Sequence, residues 1–246
     1  VNVARAPETV LVLPTLERWH KWLLGGLFGL FVLELVVKNT GLPLYPWLAW
    51  WSFGAGFEPW QPITRFLVQG DDRNAVASVA FSLLLLYFFL PMMEALTDRR
   101  TLARAVGAGA LGGTLLPLLV DATGLLQPSI ALGWRPLAYA LPPLLGLMRP
   151  DQQILLVVFP VRASWILWGT LVLAVLNVLA ERSLDSLQEL GVWLGVYGWY
   201  HLLGPGRRVR NLRDRGQRVE KDLRRFQVLE GGRPGPRSNR PDDLLH

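Results

Sequence analysis

Long apolar stretches alternate with short polar breaks along the chain in a pattern that predicts six membrane-crossing segments. A run of about 20 apolar residues, rising 1.5 Å per helical residue, crosses a hydrocarbon core of about 30 Å. The first runs from Trp19 to about Val37, with Arg18 and Lys21 at its start and Trp19 and Trp22 at the depth amphipathic rings prefer. Residues Asn39 to Asn74 follow as a proline-broken loop whose Trp47, Trp50, Trp51 and Trp60 are expected to anchor it in the interface rather than to line a ligand site. The second segment spans Ala75 to Leu96, with a kink predicted at Pro91. The third spans Leu102 to Val120, and its Gly107, Gly109, Gly112 and Gly113 predict close helix approach. The fourth, Pro136 to Met148, is short, broken by Pro142 and Pro143, and expected inside the bundle. The fifth covers Ala163 to Ala180. The sixth covers Leu184 to Leu203, with Gly191, Gly195 and Gly198 as a packing face.

Composition supports the same solvent. With 51% hydrophobic residues among 246, the chain carries more apolar surface than one water-soluble core can bury. The expected class is an all-α membrane protein in three parts: an N-terminal segment 1–17, a six-helix membrane domain 18–204, and a basic tail 205–246. Residues 1–17 lack the charged-then-apolar profile of a secretory leader.

Charge then sets the orientation. The tail holds 12 Lys or Arg against 6 Asp or Glu, which is the whole net charge of +6. With six spans, 20 basic residues fall on the side of the termini and 5 (Lys38, Arg65, Arg73, Arg135 and Arg182) on the other. Such an asymmetry predicts both termini in the cytoplasm, or in the matrix of an organelle.

Candidate chemistry is sparse. Cysteine is absent, which excludes disulfides, iron–sulfur clusters and thiolate zinc sites. His20, His201 and His246 lie near span ends or at the terminus, so no metal site and no cofactor is expected. Ionisable groups within spans are costly, which singles out Glu34, Glu94, Asp121, Arg135 and Glu189. Glu34, Glu94 and Asp121 lie near helix ends and read as interfacial or capped carboxylates.

The tail carries a separate pattern. Val209, Leu212, Gly216, Val219, Leu223 and Phe226 recur at spacings of three and four, the seam of a helix that packs on a protein partner. The alternative is a basic helix on anionic headgroups, which Asp214, Glu220 and Asp222 oppose. Nucleic acid is not among the expected partners.

Three local patterns, in order, resemble the rhomboid family of intramembrane proteases. Glu58-Pro59-Trp60-Gln61-Pro62-Ile63-Thr64-Arg65-Phe66-Leu67 is similar to the family's Trp-Arg-x-x-Thr-x-x-Phe-x-His lead into the second helix. Arg149-Pro150-Asp151-Gln152-Gln153-Ile154, continuing to Phe159-Pro160-Val161-Arg162-Ala163-Ser164-Trp165, is similar to its connection between the fourth and fifth helices. Glu189-Leu190-Gly191-Val192-Trp193-Leu194-Gly195 resembles the His-Leu-Gly-Gly start of the sixth. The resemblance covers residues 18 to 203 and none of the tail, and implies a rhomboid-like bundle of six transmembrane helices, to which the tail pattern adds a basic helical C-terminal extension.

Family members place a nucleophilic serine in Gly-x-Ser-Gly at the start of the fourth helix, where this chain has Gly133-Trp134-Arg135-Pro136. The resemblance therefore puts Arg135 at the serine position and Glu189 at that of the activating histidine, and no histidine lies between His20 and His201. A serine needs a base in reach and donors for the oxyanion; an arginine supplies neither function. Ser129 lies too early, in a loop, to replace it. The expectation is a catalytically degenerate member, not an enzyme, in which Arg135 and Glu189 either pair or lie apart with Arg135 snorkelling outward. Two functions follow: an accessory subunit of a larger membrane assembly, or a pseudoprotease that binds transmembrane clients and governs their trafficking or turnover. Membrane lipids and integral membrane proteins are the expected partners.

Overall fold

A computed structural model describes residues 15–40, 45–53, 55–70, 75–156 and 159–207. The tail seam at Val209, Leu212, Val219, Leu223 and Phe226 lies outside them. The described chain is mostly helical. Its elements are α1 (Arg18–Asn39), α2 (Tyr45–Leu48), β1 (Trp50–Trp51), α3 (Gln61–Thr64), α4 (Ala75–Leu96), α5 (Arg99–Asp121), β2 (Ile130–Ala131), α6 (Arg135–Tyr139), α7 (Leu141–Met148), β3 (Gln153–Leu156), β4 (Phe159–Arg162), α8 (Ala163–Glu181) and α9 (Leu184–Leu202).

Among the described residues four helices, α1, α4, α5 and α8, are long and apolar enough to cross a membrane. The fourth and sixth expected segments depart from that pattern for visible reasons. Pro142 and Pro143 start a new helix after Ala140, dividing the fourth into α6 and α7. The sixth has 19 residues but opens on Leu184-Asp185-Ser186-Leu187-Gln188-Glu189, which lowers its hydropathy. Outward faces suit hydrocarbon: Phe28, Leu33 and Val36 on α1 and Trp165, Leu173 and Leu179 on α8 are all more than half exposed.

The short pair α6–α7 sits at the centre. Leu141, Leu144 and Leu145 are buried with Val79, Leu86 and Met93 of α4, Leu102 and Ala105 of α5, and Val192 and Val196 of α9. Gly146 lets α7 approach α8, since a Cβ there would lie 2.7 Å from the Ala163 carbonyl oxygen.

The α5–α9 contact is closer still. A Cβ on Gly112 would overlap the Gly191 carbonyl oxygen, one on Gly195 would overlap the Ala108 carbonyl, and one on Gly113 would lie 2.7 Å from Val192 Cγ2. Gly107 and Gly198, expected on these packing faces, do not belong to them. A side chain at either would meet nothing within 4 Å. Pro91 lies inside α4, which continues to Leu96.

The described part of the segment expected as an interfacial loop is structured and tied to the bundle. Antiparallel β1 and β2 pair Trp50 with Ala131 and Trp51 with Ile130. Phe53 N donates to Asp121 Oδ2 at 2.7 Å, and Gln69 N and Gly70 N donate to the Glu34 carboxylate at 2.8 and 3.1 Å. Trp47 and Trp60 are exposed as expected of anchors, whereas Trp50 is fully buried and packs instead beneath the Arg65 guanidinium, 4.8 Å from its ring centroid.

Candidate functional site

The candidate site lies where α6 begins. Gly133 has φ +83°, and a Cβ there would meet the Gln69 amide at 2.5 Å, so the turn needs glycine for conformation and for space. The chain then enters α6 with Pro136 in its first turn, and Arg135 projects towards the start of α9.

Two carboxylates meet it there. Ser183 caps α9 in a reciprocal capping box with Ser186, which fixes Asp185 in the first turn and Glu189 one turn on, on the same face. Arg135 Nη2 pairs with Asp185 Oδ2 and lies 3.3 Å from Glu189 Oε1. Asn177 of α8 donates to the other Glu189 oxygen, Oε2, at 2.8 Å, and the Tyr139 ring lies 5.8 Å from the Arg135 guanidinium.

Arg135 and Glu189, singled out in the sequence, are therefore brought together, and Arg135 does not extend free of Glu189. Asp185 was missed. Its spacing of four from Glu189 was the available signal, obscured because Asp185 opens the helix and reads as an N-terminal charge.

Arg65 is a fully buried cation that sequence reasoning left in the loop. It has no exposed surface and donates to the carbonyls of Pro62 at 3.1 Å and Gly113 at 3.3 Å and to Thr114 Oγ1 at 3.0 Å. Burial pushes its guanidinium down to about 9, opposed by the negative charge of Asp185, so it stays protonated at neutral pH.

Chemically, the cluster is a salt lock. A guanidinium has donors and no acceptor, so it neither attacks a carbonyl nor takes up a proton. Ser129 is committed elsewhere: its Oγ accepts Leu184 N at 2.9 Å, and its backbone is tied to Ser52. Glu94, near the opposite end of the bundle, receives Trp19 Nε1 at 3.2 Å, pairs with Arg99 and lies 3.0 Å from His20 Nε2. Among the described residues, no three His, Cys, Asp or Glu side chains gather as metal ligands. No family model, curated protein or solved structure matches the chain.

Proposed function

We propose that this chain is a non-catalytic, rhomboid-like membrane protein that serves as a structural or accessory subunit of a larger membrane assembly, with its basic tail contacting a partner. The order of elements supports a six-span bundle: α1, α4, α5, the central α6–α7 pair, α8 and α9 follow the six apolar stretches.

The observation that carries the loss of catalysis is the pairing of Arg135 with both Asp185 and Glu189. At the place the resemblance assigns to a nucleophile stands a cation, and the carboxylate at the place of the base is occupied by Arg135 and Asn177. The basic asymmetry supports an orientation with both termini in the cytoplasm or matrix. Arg65 and Arg135, two of the five opposing basic residues, have internal partners, which strengthens that asymmetry.

The second reading, a pseudoprotease that binds transmembrane clients, is favoured by Asn177. This exposed amide on α8 is joined to Glu189, and polar groups of this kind bond across transmembrane helices.

Purification of the full chain in mild detergent tests both. Membrane subunits recovered in fixed stoichiometry, and lost when residues 205–246 are deleted, are expected for the first. Recovery as a monomer with substoichiometric single-span clients, reduced by Asn177→Leu, would replace it with the second.

A further inference from the structure

The arginine-rich end of the α5–α9 pair contains a groove that neither the salt lock nor the core explains. It has a volume of about 710 Å³ and opens between the start of α5 and the end of α9. Arg104, Gly107, Ala108 and Leu111 line it from α5, and Trp199 and Leu203 from α9. Those α5 positions are spaced i, i+3, i+4 and i+7, so they form one face. Gly107 faces the open groove: a Cβ there would meet nothing within 4 Å.

Polarity changes along its length. Arg104 stands near the helix start, close in sequence to Arg99 and Arg100, while Leu111 lies about 10 Å further along the axis by helical rise. Leu111 and Leu203 are 63% and 76% exposed, an apolar floor with no protein over it among the described residues. Arg104 is exposed, and its side chain has no hydrogen bond or ion pair among the described residues. Nearby acidic groups are engaged: Asp98 accepts Thr101 N, while Glu17 and Glu94 pair with Arg99.

We infer that this groove is a binding site for an anionic phospholipid, with the headgroup phosphate on Arg104 and an acyl chain along Gly107, Leu111 and Leu203. The charge selects the headgroup, and the apolar run of about 10 Å requires a ligand with a hydrocarbon tail, which a free phosphate lacks. A basic pocket between transmembrane helices is the arrangement that holds acidic lipid headgroups. This inference does not depend on the rhomboid-like reading.

The test uses the full chain purified in detergent and supplied with phosphatidylglycerol, phosphatidylcholine or inorganic phosphate. Retained lipid is read by native mass spectrometry, and thermal stability is measured in parallel. Phosphatidylglycerol is expected to be retained in preference to phosphatidylcholine. Arg104→Gln should weaken that preference about fivefold, the weight of one basic group near an anionic surface. Gly107→Leu, which fills the groove from an open position, should abolish retention of phosphatidylglycerol without lowering the melting temperature in the absence of lipid. Arg162→Gln, outside the groove, should have no effect. Equal retention of both lipids, protection by inorganic phosphate alone, or retention undiminished in both groove variants would overturn the site.

Discussion

Arg135 Nη2 lies 3.3 Å from Glu189 Oε1 while its main partner is Asp185, one turn earlier on the same helix. One cation thus joins the start of the central helix pair to two successive turns of α9. Losing the cation leaves two carboxylates facing each other, a larger loss than either carboxylate alone. Breaking a fully buried pair costs about 3–5 kcal/mol; Arg135 and Asp185 are 28% and 32% exposed, so Arg135→Gln is expected to cost about 2 kcal/mol. Double-mutant cycles in a reversible detergent-unfolding assay should give a larger coupling to Arg135 for Asp185→Asn than for Glu189→Gln. Zero couplings would show that the lock contributes nothing to stability, and equal ones that Asp185 is not the main partner.

Restoring a serine does not restore chemistry. Arg135→Ser places a hydroxyl at the start of α6, but the nearby titratable groups are two carboxylates and the Tyr139 phenol, and no histidine lies between His20 and His201. The variant is expected to remain unlabelled by a serine-directed fluorophosphonate under conditions that label an active serine hydrolase. It should also be less stable, since Asp185 loses its partner. Stoichiometric labelling would mean that a base is available at this site and that the loss of chemistry rests on Arg135 alone.

The parts of this molecule that follow from local periodicity were legible in the sequence. The four membrane-length helices fall within a few residues of the predicted stretches, because about 20 apolar residues have few alternatives to a helix in lipid. The short fourth segment was readable from Pro142 and Pro143. What the sequence did not expose was long-range pairing. Trp50 looked like an interfacial anchor because tryptophan usually is one, yet its pairing with Ala131 carries it inside beneath Arg65. Glu34 and Asp121 looked like helix-end carboxylates, and their backbone donors are 35 and 68 residues away in sequence. Asp185 was hidden for the same reason, since a first-turn acid is favourable on any helix and nothing local signals a distant arginine.

Asp98 gives a pH-dependent prediction outside the spans. Its carboxyl is held below the ordinary aspartate value of 3.8 by hydrogen bonds from the Thr101 hydroxyl and the Thr101 N–H at the start of α5. The folded state therefore binds this proton less tightly than the unfolded state. The stabilisation is fully present above pH 3.8 and is lost as pH falls through the lower folded value. Wild type should melt above Asp98→Ala at neutral pH, and the difference should shrink progressively below about pH 4, where even an unfolded aspartate takes up its proton. A difference independent of pH would assign the effect of Asp98 to something other than its charge.

The glycines of the α5–α9 contact separate close packing from helix propensity. In an exposed helical position, replacing glycine by alanine removes backbone freedom from the unfolded chain and stabilises by about 0.5–1 kcal/mol. Gly107 and Gly198 have open space at the Cβ, so Gly107→Ala and Gly198→Ala should raise stability by that amount. At Gly112 and Gly191 the same methyl would strike the carbonyl group of the facing helix, which cannot rotate away without breaking its own hydrogen bonding. Gly112→Ala and Gly191→Ala should therefore each destabilise by about 1–3 kcal/mol. Because the two residues face each other, the double variant should show a coupling, either exceeding the sum where both methyls collide or falling below it where one variant already forces the helices apart. All four single variants measured in the same detergent-unfolding assay provide the comparison. The sign difference between the two pairs is the decisive readout, since propensity alone predicts four stabilising changes and general intolerance of the membrane domain predicts four destabilising ones.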